Sequence, residues 1–168
     1  MLKLVLEILA TTPAKLEREI ATFSRREMGI RPASDKWSVQ EVLAHLADVE
    51  EVGMRERVAA IVEQERPTLP YFDQEARAVE REYNKTDPRR SLVSLERQRR
   101  ANLKWLRKLR PVQLKRIGVH QQVGEISAEE MITEWAFHDL GHLKQILEIK
   151  RYALYPRMGN MRAFYKLV

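Results

Sequence analysis

No cysteine occurs anywhere in the 168 residues. That excludes disulfides, thiolate zinc sites and cysteine nucleophiles, so any bound metal must rest on imidazole and carboxylate ligands; it also fits a cytoplasmic location. Long apolar runs are missing too, and none approaches the roughly 18 residues a membrane span requires. The apolar opening MLKLVLEILA is broken by Lys3 and Glu7 and is followed by no small-residue cleavage site, so it reads as a helix and not as a leader. Period-2 alternation, internal repeats and low-complexity stretches are absent as well. What remains is helical periodicity from end to end, which predicts an all-α protein. With 44% hydrophobic and 32% charged residues, the chain suits one domain spanning 1–168.

The first helix is expected from Leu2 to Phe23, with Pro13 either kinking it or starting a new segment. Ser24 and Glu27 form a possible capping box before a loop marked by Gly29, Pro32 and Asp35. The second helix opens on Trp37-Ser38-Val39-Gln40-Glu41-Val42: Ser38 caps the backbone of Glu41, Glu41 returns to Ser38, and Trp37 staples onto Val42. It should end near Glu65, before Pro67. A shorter helix over 72–83 and a break at 84–88 make a crossover where a bundle can abandon strict up-down order. The third long helix covers 91–109. A connector with His120 and Gly124 leads to the last helix, which opens on Ile126-Ser127-Ala128-Glu129-Glu130-Met131 with the same capping logic and runs to about Lys150. The aromatic, basic tail 152–168 is expected to pack back on the bundle or on a second subunit.

Two of the four histidines, His138 and His142, stand four residues apart, so in a helix both imidazoles lie on one face. Glu134 and Gln145 share that face. Leu140, Leu143, Ile146 and Leu147 flank it, predicting a helix that lies deep in the bundle. His45 falls on the apolar face of the second helix with Val42, Val49 and Val52, and therefore also points inward. Three converging imidazoles make a plausible facial metal site with open positions; isolated core histidines bonded to carbonyls are the plainer alternative. Asp48 and Glu134 are the carboxylates placed to orient an imidazole or act as general base. Glu41 is explained by its cap, and Asp139 points about 100° from His138. His120 is either a solvated loop residue or part of the pocket. The pattern is not the H-E-x-x-H of zinc peptidases.

From Arg89 to Arg116 eleven Lys or Arg face one acid, Glu96, a local +10 in a chain of +6 that leaves −4 elsewhere. Such a helix could grip nucleic acid, or it could be a solvated face balanced by acidic neighbours. Arg99 and Asn102 interrupt its leucine stripe. They predict either an ion pair with a buried acid such as Asp48 or Glu134, or a pocket lining that binds an anionic substrate group.

These residues carry a resemblance. The run Trp37-Ser38-x-x-Glu41-x-x-x-His45-Leu46-x-Asp48-x-Glu50, followed by a histidine and glycine ahead of a Ser-capped helix with His138-Asp139-x-x-His142-x-x-Gln145-Ile146, resembles the DinB/YfiT superfamily over nearly the whole chain. The resemblance implies an up-down-down-up four-helix bundle with short extra helices in the crossover and tail. It also implies a divalent metal, zinc or nickel above others, held by His45, His138 and His142, and a homodimer. Members include low-molecular-weight-thiol-dependent transferases and isomerases, and others described only as metal-dependent hydrolases. The expectation is a cytoplasmic metalloenzyme, hydrolase or thiol transferase, acting on a small-molecule substrate and not on nucleic acid or membranes. Glu134 or Asp48 would be catalytic, with Arg99, Asn102, His120 and Gln145 binding substrate. The competing readings are a nucleic-acid-binding bundle using the basic helix and a non-catalytic bundle that a metal merely stabilises.

Overall fold

A computed structural model describes residues 2–167. Four rods make the bundle. The first is α1 (Leu2–Ile20), and α2 (Arg25–Met28) is a single turn after it. The second rod runs through α3 (Val39–Val49), a π-helical turn (Glu50–Arg55) and α4 (Glu56–Glu63). The crossover carries α5 (Gln74–Glu80), the third rod is α6 (Pro88–Leu106), α7 (Pro111–Leu114) follows it, and the fourth rod is α8 (Ala128–Leu154). α1 packs on α8 and α6, and the second rod packs on the same two from the opposite side.

Two core clusters fix the directions. At one end Val5 and Leu9 of α1 meet Val58 and Ile61 of α4, Leu103 and Leu106 of α6, and Met131 and Ile132 of α8. At the other, Leu16 and Ile20 meet Trp37, Val42, Leu92 and Ile146. α1 and α8 therefore run opposite to the second and third rods, the up-down-down-up order. The parallel middle pair is possible because the crossover returns the chain the length of the bundle.

The helix starts follow the sequence closely. The Ser38 hydroxyl accepts from the Glu41 N–H at 3.3 Å, and Glu41 accepts the Ser38 N–H at 2.9 Å. Ser127 with Glu130, and Ser24 with Glu27, repeat the box. α6 starts three residues earlier than expected. Asp87 caps the N–H groups of Arg89 and Arg90, and Pro88 takes the first helical position, where its missing N–H costs nothing.

Three features depart from expectation. The connector before α8 is a β-hairpin: β2 (Ile117–His120) pairs antiparallel with β3 (Gly124–Ser127), and β1 (Thr68–Leu69) joins β2 in parallel. Strands of two to four residues leave no alternation to read. α8 is not buried around most of its circumference, since Phe137, Leu140, Leu147 and Leu154 form an exposed stripe. The tail folds as a 3-10 stretch (Tyr155–Phe164) against the end of α8 and contributes no buried residue. Among the described residues no helix is long and apolar enough to cross a membrane.

A polar layer separates the two core clusters. Arg99, 2% exposed, donates to Glu50 at 2.7 and 2.8 Å and to Asp139 at 2.5 and 3.0 Å. Asn102 and the Trp135 indole N–H also donate to Glu50. The remaining Arg99 contact goes to the Leu9 carbonyl at 2.8 Å. Leu9 is four residues before Pro13, which has no N–H to close that helical bond. α1 continues through Pro13 because a side chain from α6 takes the orphaned oxygen.

Candidate metal centre

His45, in the second turn of the capped α3, is fully buried; His138 and His142, in the middle of α8, are part-buried. Their rings converge. His138 Nε2 lies 3.1 Å from His45 Nε2 and 3.1 Å from His142 Nε2, and one ligand atom from each residue lies within 4.8 Å of the others. Among the described residues this is the group that can hold a metal ion.

The protonation of this cluster follows from burial. Desolvation, reinforced by the other two imidazoles, lowers His45 to about 2. Desolvation, with His142 and Arg99 adding to it, lowers His138 to about 3. His142 is also lowered by desolvation, against the opposing pull of its bond to Gln145. All three are neutral at physiological pH, the form that binds metal.

Gln145 fixes one tautomer. His142 Nδ1–H donates to Gln145 Oε1 at 2.7 Å, so the His142 lone pair sits on Nε2 and faces the cluster. Nδ1 of His45 and of His138 are buried and meet no protein acceptor. Nitrogens about 2.0–2.1 Å from a common ion stand about 2.9–3.4 Å apart across octahedral to tetrahedral angles, and the two 3.1 Å separations fall in that range. The donor set, three neutral imidazole nitrogens, suits a divalent cation, with two of its separations at the length an ion imposes and the set as a whole spanning no more than 4.8 Å.

Aromatic rings wall the site. Trp37 lies parallel to His142, with centroids 6.4 Å apart, and 5.0 Å from His45. Tyr83 and Phe72 of the crossover stand 6.2 and 6.5 Å from His45. Such a shell limits water and strengthens the electrostatics inside it. Its residues gave no signal in the sequence beyond the Trp37 staple, because the crossover meets α3 only through tertiary packing.

Several residues expected at the site are elsewhere. Asp48 orients no imidazole. It accepts from Arg77 at 2.6 and 3.0 Å and from the Tyr83 hydroxyl at 2.7 Å, and burial, which alone would raise its carboxyl, is outweighed so that it is held low. Asp48 thus fastens the crossover and Tyr83 beside His45. Arg99 and Asn102 do not face the histidines with a free polar group: they are the centre of the buried layer, with Arg99 paired to Glu50 and Asp139, Asn102 donating to Glu50, and neither meeting Asp48 or Glu134. Glu50 carries no local signal that marks it as a partner of Arg99, and Asp139, turned away from His138, is turned toward Arg99. Glu134, one turn before His138 on α8, is solvent-exposed, and what desolvation it has raises its carboxyl against the pull of Arg57. His120 sits on β2, accepts the Gln122 N–H, and is not among the converging ligands. The rest of the basic run is mainly a solvated face, with Arg89, Arg90, Arg97, Arg100 and Lys104 exposed.

Comparison with known proteins places this geometry. Residues 8–146 match the model of the DinB superfamily. A "putative metal-dependent hydrolase" of Oceanobacillus iheyensis is 28% identical over 143 residues, 84% of this chain and 80% of that protein. A Bacillus subtilis protein with the same designation, YfiT, is 26% identical over 155 residues, 92% and 84% of the two chains. The solved structure of Bacillus subtilis YfiT, described as a probable metal-dependent hydrolase with an unusual four-helix bundle topology, superposes with a TM-score of 0.81 over 89% of this chain and 85% of that one, at 24% identity. A mycothiol-dependent maleylpyruvate isomerase shares the fold at a TM-score of 0.67 and 16% identity, over 87% of this chain and 60% of its own. With four-fifths of its length inside the family match, this chain belongs to the DinB superfamily.

Proposed function

We propose that the protein is a divalent-metal enzyme in which His45, His138 and His142 hold the ion and a small nucleophile, water or a low-molecular-weight thiol, is activated beside them. The observation that carries this reading is the convergence of three neutral imidazoles through their Nε2 atoms. Zinc or nickel suits three nitrogen donors. When bound, such an ion supplies Lewis acidity and lowers the pKa of a nucleophile toward neutrality.

The chain's own residues set the conditions. Gln145 holds the His142 tautomer, and Trp37, Phe72 and Tyr83 keep the surroundings dry. Glu134, one turn before His138 and raised by desolvation, is suited to take a proton from the nucleophile and return it to a leaving group. Relatives designated "putative metal-dependent hydrolase" support hydrolysis, and the mycothiol-dependent isomerase of the same fold supports thiol chemistry. The exposed stripe Phe137, Leu140, Leu147 and Leu154 supports a homodimer.

Zinc- or nickel-loaded protein should hydrolyse an activated ester such as 4-nitrophenyl acetate, or add a small thiol to 1-chloro-2,4-dinitrobenzene, at least tenfold faster than the His45→Ala variant treated alike. Equal rates for the two proteins in both assays contradict the proposal and favour a metal that only stabilises the bundle.

A further inference from the structure

Arg57, on α4, is a cation beside the centre that is held without being consumed. It is part-buried and donates Nη2 to the Pro70 carbonyl. Among the described residues this is its one hydrogen bond, whereas a guanidinium has five N–H donors in a planar fork. Arg57 lines a cleft of about 340 Å³ between α4 and residues 67–72, together with Val52, Ala60, Leu69, Tyr71 and Phe72. Phe72 belongs both to this cleft and to the aromatic wall of the centre, its ring standing 6.5 Å from that of His45.

Two ionisable groups share the field of Arg57. Glu134 on α8, one turn before His138, and His120 on β2 are both within its electrostatic reach. Among the described residues Arg57 closes no ion pair with Glu134 or any other acid. Burial penalises the Arg57 charge and Glu134 only partly compensates. A desolvated guanidinium with an open fork, facing an acid that stands off, is suited to a bidentate carboxylate from outside. Arg99, the residue first expected in that role, has its Nε, Nη1 and Nη2 all engaged in the core.

We infer that Arg57 anchors a carboxylate of the small molecule that reaches the histidine centre, making the site selective for carboxylate-bearing substrates or thiols. This rests on the metal reading proposed above. Val52, Leu69 and Phe72 would cover the aliphatic part between the two ends, and Arg57 would set specificity.

The test uses the full-length protein loaded with cobalt(II), whose visible spectrum reports a thiol arriving at the centre. Mercaptoacetate, 3-mercaptopropionate and 4-mercaptobutyrate are titrated against the matching mercaptoalcohols. At least one acid should bind about tenfold or more tightly than its alcohol, the size of a charge-assisted pair. In Arg57→Met that preference should fall to within about twofold of unity, and in Arg57→Lys, which keeps the charge but not the fork, to an intermediate value. Should Arg57→Met not fold, Arg57→Lys decides alone, and an undiminished preference there overturns the inference. No acid preference in the wild type, or its survival in Arg57→Met, overturns it while leaving the metal reading standing. Failure of the wild type to take up cobalt at His45, His138 and His142 removes the metal reading and this inference with it.

Discussion

Gln145 Oε1 accepts the Nδ1–H of His142 at 2.7 Å, three residues away on the same helix, and thereby decides which nitrogen of His142 faces the other two imidazoles. Partners of this kind orient a metal-binding histidine and raise its basicity, and losing one typically costs 10–100-fold in metal affinity. Gln145→Leu should weaken metal binding by about that factor in competition with a chelating indicator, with helical content unchanged. Gln145→Glu, which keeps the acceptor, should retain most of the affinity.

Arg99 carries the second prediction. It neutralises Glu50 and Asp139 in a layer sealed between two apolar clusters and satisfies the Leu9 carbonyl that Pro13 leaves open. Removing one member of a buried ion network strands the others, at a cost of about 3–5 kcal/mol. Arg99→Met should lower stability by that amount in urea unfolding. Glu50→Gln combined with Asp139→Asn in the Arg99→Met background should recover part of it, because the stranded charges are gone.

Acid should destabilise the metal-free protein from an unusually high pH. The folded-state pKa values of His45 and His138 are depressed to about 2 and about 3, and that of His142 is also lowered, from an ordinary value of 6.5. Below pH 6.5 the unfolded chain therefore binds protons that the folded chain refuses, so stability is full above that pH and falls as pH drops toward 3. Each such histidine contributes a slope approaching about 1.4 kcal/mol per pH unit. Urea midpoints between pH 7 and 4.5 should fall steeply in the wild type and more gently in His45→Phe. A profile identical in the two proteins would contradict the assigned burial.

The spacing of His138 and His142, the inward face of His45 and the three capping boxes were all legible in the sequence because they are local, set by helical periodicity and by a hydroxyl three residues before a glutamate. Bundle class and order followed from helix count, the long crossover and the family resemblance. What the sequence concealed is tertiary. Arg99 was visibly anomalous on its leucine stripe, but which acids it meets depends on a π-helical turn that reorients Glu50, and no local rule marks that turn. The hairpin before α8 is too short to show a period. Asp48 looked like a site carboxylate because it borders the His45 face, yet the crossover supplies Arg77 and Tyr83 to claim it.

The central claim is that three converging imidazoles hold an ion. Protein made without an affinity metal column and dialysed against trace-metal-free buffer should contain close to one equivalent of a divalent transition metal by mass spectrometry, with His45→Ala, His138→Ala and His142→Ala each losing most of it while remaining helical. A wild-type protein that neither retains nor takes up such a metal, or variants that hold it as well as the wild type, would contradict the account.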